Sequence, residues 1–206
     1  MKFSFSLSAK TKFVLMFILF ALPITASYLA FFFWKPKVTN NLGELIAPVI
    51  AMPMVKFDLM DGKDAPDTAG EKSMRGKWLM VMRDSGSCDA DCSKKLYTLR
   101  QARLILNKDL NRVARIFLVD DGVVPNAQLQ QDFVGTAFVM AGGSEWLDRL
   151  PREKDDLTNG RGYIYAVDPM GNLFMRYKAD DDIKSVAADF RRVLKASQLG
   201  KDFEGK

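Results

Sequence analysis

Apolar positions along the chain follow two different patterns. From Phe13 to Trp34 they form a run of 22 residues without a single charge. At 1.5 Å per residue that is about 33 Å of helix, enough for a hydrocarbon core of about 30 Å. Pro23 interrupts the run, which a membrane helix tolerates when neighbouring groups satisfy the freed backbone. Lys2, Lys10 and Lys12 precede it, and Tyr28, Trp34 and Lys35 suit the far interface. A cleaved signal peptide needs a shorter apolar stretch, then a small-residue site and polar chain. Here the chain stays apolar after Thr25-Ala26-Ser27, so an uncleaved signal anchor is expected. Lys35 and Lys37 lie beyond the run, but the three N-terminal lysines and the amino terminus favour an N-terminus inside the cytoplasm.

Beyond the run, residues 35–54 hold Pro36, Pro48 and Pro53 with little periodicity and read as a linker or an extended lead-in. From Val55 the pattern alternates between strand-like and helix-like stretches. Val55-Lys56-Phe57-Asp58-Leu59 has period two, and Asp61-Gly62 follows as a turn. Trp78–Met82 and Val113–Val119 are continuous apolar runs, as expected of strands covered on both faces. Cys92–Asn107 has helical spacing through Leu96, Leu99, Leu104 and Leu106, with a short helix over Gln128–Asp132 and a strand over Thr136–Met140. Gly162–Val167 and Leu173–Tyr177 flank Asp168-Pro169-Met170-Gly171, a turn sequence that predicts an antiparallel hairpin. Ile183, Val186, Ala187, Phe190, Val193 and Leu194 give Asp182–Ser197 the spacing of an amphipathic helix.

This order predicts an α/β fold: a mixed sheet in a three-layer arrangement with flanking helices, preceded by one transmembrane helix. The expected organisation is a cytoplasmic N-terminus at 1–12, an anchor at 13–34, a linker at 35–54, a globular domain at 55–200 and a tail at 201–206. No internal repeat or low-complexity tract interrupts it.

Composition narrows the chemistry. The chain of 206 residues has two cysteines and no histidine. That removes Ser-His-Asp and Cys-His catalytic groups, imidazole proton shuttles, and metal sites that need imidazole. Two thiols are too few for a four-cysteine zinc site or an iron–sulfur cluster. Residues 35–206 carry 27 basic and 25 acidic side chains, interspersed, so nothing resembles a nucleic-acid-binding stripe. The expected partners are membrane lipid, through the anchor, and protein.

The informative local feature is Asp84-Ser85-Gly86-Ser87-Cys88-Asp89-Ala90-Asp91-Cys92, between a buried strand and an amphipathic helix. The spacing sets both cysteines on one side of the first helical turn. Three states are open to Cys88 and Cys92: a disulfide, a redox-active dithiol, or a two-coordinate Cu(I) site. A helix N-terminus favours a thiolate, while Asp84, Asp89 and Asp91 oppose it, which predicts a mild dithiol rather than a strong oxidant. A purely structural disulfide is the competing reading, although so short a ring gains little in the chain-entropy model. Arg161 reads as a solvated loop arginine, with an approach to the thiols as the alternative. Met80 and Met82 read as core, Met170 as an exposed turn residue, and no methionine has a ligand's spacing. Tyr163 and Tyr165 are expected to pack in the sheet.

Gly76-Lys77-Trp78, an apolar strand, the CxxxC pair and a helix together resemble the Sco/SenC proteins, membrane-anchored thioredoxin-fold factors of cytochrome oxidase assembly. Phe57-Asp58-Leu59-Met60-Asp61-Gly62 resembles the strand and turn that open that domain. Tyr165-Ala166-Val167-Asp168-Pro169-Met170-Gly171 resembles its hairpin. The resemblance covers about residues 55–197 and is greatest to short Sco-like transmembrane proteins of proteobacteria. It implies a thioredoxin-like fold, placement at the bacterial inner membrane with the domain on the periplasmic side, and copper as a possible cofactor. It also implies a thiol-bearing or copper-site partner such as an oxidase subunit. The departures are specific. The histidine that completes the Sco copper site is absent, with Gly160 near its position. Cys88 is followed by Asp89 rather than proline, and no proline closely precedes Tyr163, where thioredoxins carry a cis-proline. These departures put thiol–disulfide exchange by Cys88 and Cys92 first, ahead of Cu(I) carriage by the same pair and of a non-catalytic assembly factor.

Overall fold

Whether each apolar run becomes a strand or a helix depends on what covers it, and the computed structural model resolves this over residues 8–33, 41–53, 76–152 and 160–197. The chain divides into two units, residues 1–40 and 41–206. In the first, helix α1 spans Ala9–Phe33 with none of its residues buried. Its mean hydropathy reaches 2.2, and by length and composition it is able to cross a membrane. Ser8 caps its start, accepting from the Thr11 N–H at 3.3 Å. Below Pro23, the Thr25 hydroxyl donates to the carbonyls of Ala21 and Leu22, both at 3.0 Å.

The second unit is built on one six-stranded mixed sheet. Its strands are β1 (Glu44–Ala51), β2 (Trp78–Asp84), β3 (Val113–Val119), β4 (Thr136–Met140), β5 (Tyr163–Val167) and β6 (Asn172–Lys178), in the order β1-β6-β5-β2-β3-β4. β2, β3 and β4 run parallel, from Trp78 opposite Val113 and Arg115 opposite Thr136. β5 pairs antiparallel to β2 and forms the predicted hairpin with β6. In its turn, Asp168 Oδ1 accepts from the Met170 and Asn172 N–H groups at 2.8 Å.

Alternate residues of the strands supply two cores. One face carries Met80, Met82 and Phe117 beneath α2 (Ala90–Ile105) and α5 (Ile183–Ala196), which contribute Leu96, Leu99, Phe190 and Leu194. The other carries Val81, Ile116, Leu118, Tyr165 and Val167 under Trp146 of α4 (Glu145–Arg149). A short helix α3 (Ala127–Asp132) leads into β4, and a 3₁₀ turn at Asn107–Arg112 joins α2 to β3. This is the three-layer, thioredoxin-like arrangement expected. Met80, Met82, Tyr163 and Tyr165 are buried and Met170 is exposed, also as expected.

One region departs from expectation. The segment 35–54 is not simply a linker: Glu44–Ala51 is strand β1, antiparallel to β6 at the sheet's edge. Prolines hid it, yet an edge strand has a partner on one side only and accommodates a residue without an N–H. The pairing shifts register between Leu45 and Ile50, around the cis Ala47–Pro48 bond. Polar contacts fasten both ends. Asp189, 2% exposed on α5, accepts from the N–H groups of Leu42 at 2.8 Å and Gly43 at 2.9 Å. Glu44 pairs with Arg176 at 2.7 Å, and Trp146 Nε1 donates to the Pro53 carbonyl at 2.8 Å. The expected strand at Val55–Leu59 and its Asp61-Gly62 turn lie outside the described residues.

Replacing Asp189 by Ala leaves two backbone donors at the start of β1 without their acceptor. We expect a loss of about 2–3 kcal/mol in urea unfolding, with no effect on the chemistry of Cys88 and Cys92. A loss below about 0.5 kcal/mol, the usual limit for surface changes, would mean that this tie does not hold the strand.

Candidate functional site

β2 runs directly into the cysteine loop, and α2 begins inside it. Asp89 is the N-cap of α2, its carboxylate accepting from the Cys92 N–H at 2.9 Å. Cys88 stands just before the cap, half-buried, with φ of +40°, a conformation unusual for a residue with a Cβ. Its N–H donates to the Ser85 carbonyl at 3.1 Å. Cys92 is fully buried against the core. The two are joined as a disulfide with Cα atoms 5.1 Å apart. The expected juxtaposition is therefore present, with one sulfur toward the surface and one behind it.

The loop is held from the adjoining strand end. Asp121 accepts from the N–H groups of Gly86 at 3.0 Å and Val123 at 3.1 Å. The backbone hydrogen bond from Gly86 is the leading cause that holds the Asp121 carboxyl below its ordinary range. A Cβ at position 86 would lie 1.7 Å from the Val123 carbonyl oxygen, so only glycine lets the two loops meet.

Beneath the disulfide lies a set of buried charges. Lys95, 2% exposed, pairs with Asp84 and donates to the Arg161 carbonyl, with a weaker contact to the Arg83 carbonyl at 3.4 Å. Asp84 also accepts from the Ser85 N–H at 2.8 Å. On the other face of β2, Arg83 donates to Asp120 from Nη2 at 3.0 Å and Nε at 3.2 Å. Arg161 binds the same carboxylate at 2.6 and 3.0 Å. Burial alone would push the Asp120 carboxyl up, but hydrogen bonds and charge from Arg161 and Arg83 outweigh it and hold the group below its ordinary value.

Arg161 is thus not the solvated loop arginine expected, because Asp120 holds its guanidinium. Its backbone also joins the cluster, through the bond from Lys95 to its carbonyl. Arg83, Lys95 and Asp120 escaped the sequence reading altogether, and Asp84 entered it only as a charge opposing a thiolate, not as the partner of Lys95. One signal was available: Lys95 falls three residues after Cys92, in the same buried stripe as Leu96 and Leu99. A cleft of about 610 Å³ opens beside this cluster, lined by Asp84, Asp89, Lys94, Lys95, Arg161 and Lys178 among others.

For the copper that the resemblance implies, the donors available would be the two sulfurs, and only once their disulfide is reduced. Among the described residues, no group of three or more Cys, Asp or Glu side chains is placed to hold a metal. Gly160 is buried at φ +85°, and a Cβ there would lie 3.1 Å from the Tyr165 hydroxyl and 3.3 Å from Arg83 Cδ. A third ligand at that position would meet occupied space. Leu157, Thr158 and Asn159 of the same loop lie outside the described residues.

A vicinal cysteine pair at the junction of a buried strand and a helix, on a mixed sheet with helices on both faces, defines a thioredoxin-like protein. Residues 78–197 match the model of the family described as transmembrane-like, thioredoxin-like, C-terminal domain, and the chain belongs to that family. Among solved structures it is similar to apo Sco1 from Thermus thermophilus, at 18% identity and TM-score 0.54, covering 77% of this chain and 99% of that one. Copper-bound yeast Sco1 is similar at 16% identity and TM-score 0.51, over 78% of this chain and 96% of that one. A yeast mitochondrial 1-Cys peroxiredoxin is similar at 13% identity and TM-score 0.52, over 71% and 76%. At these identities the likenesses establish the fold alone. No curated protein sequence matches the chain.

Asp120→Asn removes the anion that two arginines share, one of them buried. A loss of about 3 kcal/mol at neutral pH is expected. The folded Asp120 carboxyl lies below its ordinary value, so its contribution is complete above about pH 4 and is lost as pH falls through the depressed value. Urea midpoints of wild type and variant should therefore converge only in acid. A gap that persists undiminished into strong acid would place the cost elsewhere.

Proposed function

We propose that this protein is a membrane-anchored thiol–disulfide exchange protein, its thioredoxin-like domain on the periplasmic side of a bacterial inner membrane. The carrying observation is the unequal placement of the two sulfurs: Cys88 is half-exposed and Cys92 is fully buried behind it. That asymmetry suits a pair in which one cysteine meets the partner and the other resolves.

In the reducing direction, the Cys88 thiolate attacks one sulfur of a partner disulfide, forming a mixed disulfide and releasing the partner's first thiolate. Cys92, as thiolate, then attacks Cys88 Sγ. The Cys88–Cys92 bond forms, the mixed disulfide breaks, and the partner's second thiolate leaves and takes a proton. The joined pair is the product of that cycle, and a dithiol donor must reduce it again. The free N–H groups at the start of α2 stabilise the Cys88 thiolate, while the carboxylates of Asp89 and Asp91 limit that effect. The resulting dithiol is mild and suited to keeping another protein's cysteines reduced.

The partner proposed is a subunit of cytochrome c oxidase with a cysteine-bearing copper site, the role that the Sco resemblance implies. A second reading rests on the likeness to copper-bound Sco1. When reduced, the two sulfurs are of the soft type that takes Cu(I) in two-coordinate form. The lack of a third ligand then suits transfer to a partner rather than storage.

Cysteine variants of the membrane-anchored chain separate these readings. Cys88→Ser should abolish exchange with a disulfide substrate, and Cys92→Ser should accumulate a mixed disulfide, identified by mass spectrometry. Exchange that survives Cys88→Ser would refute the assignment of the attacking sulfur. Exchange absent from the wild type, with full oxidase assembly by the double serine variant, would favour the non-catalytic assembly factor. Cu(I) titration of the reduced chain tests the second reading. Stoichiometric binding lost in Cys92→Ser supports carriage, and a lack of competition with a weak Cu(I) chelator excludes it.

A further inference from the structure

When the buried Cys92 attacks Cys88 Sγ, the partner's sulfur must depart from the opposite, outer side as a thiolate. It departs beside Asp89 and Asp91, two exposed carboxylates, and a nearby negative charge disfavours a second one. A hydrogen-bond donor at that place would offset them.

Most donors around the pair are already engaged. Lys95 pairs with Asp84 and donates to the Arg161 carbonyl. Asp120 holds the guanidinium groups of Arg83 and Arg161. The hydroxyls of Ser85 and Ser87 bond each other at 2.8 Å. Lys94 lines the cleft, which neither cysteine lines.

Ser93 is the exception. Its Oγ lies 3.9 Å from Cys88 Sγ, and that is the hydroxyl's only hydrogen bond among the described residues. Cys88 Sγ carries no hydrogen in the disulfide, so the hydroxyl is the donor. The Ser93 N–H donates to the Asp89 carbonyl at 2.9 Å, which fixes the residue in the first turn of α2. Ser93 is half-buried, as Cys88 is, whereas Cys92 lies fully buried behind them. The hydroxyl therefore stands on the side from which a partner's sulfur comes and goes.

We propose that Ser93 is a catalytic residue of the exchange reaction, its hydroxyl hydrogen-bonding the partner sulfur that leaves Cys88. This rests on the exchange reading above. In the mixed disulfide that sulfur is bonded to Cys88 Sγ, about 2 Å further out. Rotation about the single Cα–Cβ bond of serine carries the hydroxyl from one sulfur to the other. The Cys92 thiolate attacks Cys88 Sγ, the Cys88–Cys92 bond forms and the bond to the partner breaks. Its electron pair goes to the partner's sulfur, which accepts from the Ser93 hydroxyl as it leaves and then takes a proton from water. Ser93 keeps its own proton. The donor matters most for an ordinary alkyl thiol, which leaves slowly, and least for an aromatic thiol, which leaves readily as its anion.

The test follows decay of the mixed disulfide on the full chain in detergent micelles. The reduced chain is mixed with hydroxyethyl disulfide, whose leaving thiol is alkyl, or with a nitrobenzoate disulfide, whose leaving thiol is aromatic. Samples are quenched in acid and the mixed disulfide is counted by mass spectrometry. Ser93→Ala should slow decay of the alkyl mixed disulfide about tenfold and that of the aromatic one less than about twofold. Ser93→Thr, which keeps the hydroxyl, should restore the alkyl rate. Both rates come from the same variant, so any loss of folded protein affects them alike. Equal slowing with both reagents, no slowing with the alkyl one, or a threonine variant as slow as the alanine one overturns the role of Ser93 and leaves exchange intact. A wild type that forms no mixed disulfide with either reagent overturns the exchange reading, and this role with it.

Discussion

Asp120 accepts hydrogen bonds from two arginines, and the arrangement of the thiol site depends on that carboxylate. Successive residues of a strand face opposite sides of the sheet. Arg83 and Asp84, the last two residues of β2, therefore carry charge into both layers, and each has its own partner. Arg83 meets Asp120, and Asp84 meets Lys95 of α2. Arg161 joins the two sides, its guanidinium on Asp120 and its carbonyl receiving Lys95. A buried ion pair gains little over apolar packing, but removing one member leaves an uncompensated charge. The cluster thus contributes position more than stability.

Position is what the disulfide requires. Asp84 holds the Ser85 N–H and Asp121 holds that of Gly86, so carboxylates at two strand ends restrain the loop approaching Cys88. Asp89 then starts the helix and orients Cys92. With both flanks held, Cys88 keeps an unusual backbone conformation at the surface. Cys92 cannot follow it outward, because its side chain belongs to the core. The result is a half-exposed sulfur on a restrained loop and a buried sulfur on a helix, so the two differ in their access to a partner.

Much of this was legible in the sequence wherever burial is apolar. Trp78–Met82, Val113–Val119, the Asp168–Gly171 hairpin and the stripe of α5 each announce a strand, turn or helix through periodicity. The cysteine pair announces itself through its place between two such patterns. Periodicity fails where polar residues are buried, because burial by pairing leaves no hydrophobic trace. Arg83 and Asp84 look like the end of a strand entering solvent, and Lys95 looks like one more helical lysine. Their partners, Asp120 and Arg161, lie distant in sequence. β1 was hidden for a different reason: its prolines are breakers in a central strand but acceptable at an edge, and sequence does not say which strand will be the edge.

The same cluster bears on the absent histidine. The Sco resemblance sets a copper ligand near Gly160, and losing a ligand could in principle leave a hole that another group fills. Instead the space is taken. Tyr165 donates to the carbonyls of Gly160 and Pro151, and Arg83 passes beside Gly160 on its way to Asp120. Lys95 holds the next carbonyl, that of Arg161. The loop that would present the ligand is thus bonded to the charges beneath the thiols, with glycine's left-handed conformation built in. A histidine there would be strained at φ +85°, and its Cβ would lie 3.1 Å from the Tyr165 hydroxyl and 3.3 Å from Arg83 Cδ, so those neighbours would have to give by a few tenths of an ångström. A side chain at position 160 therefore presses on the same arginine that Asp120 holds.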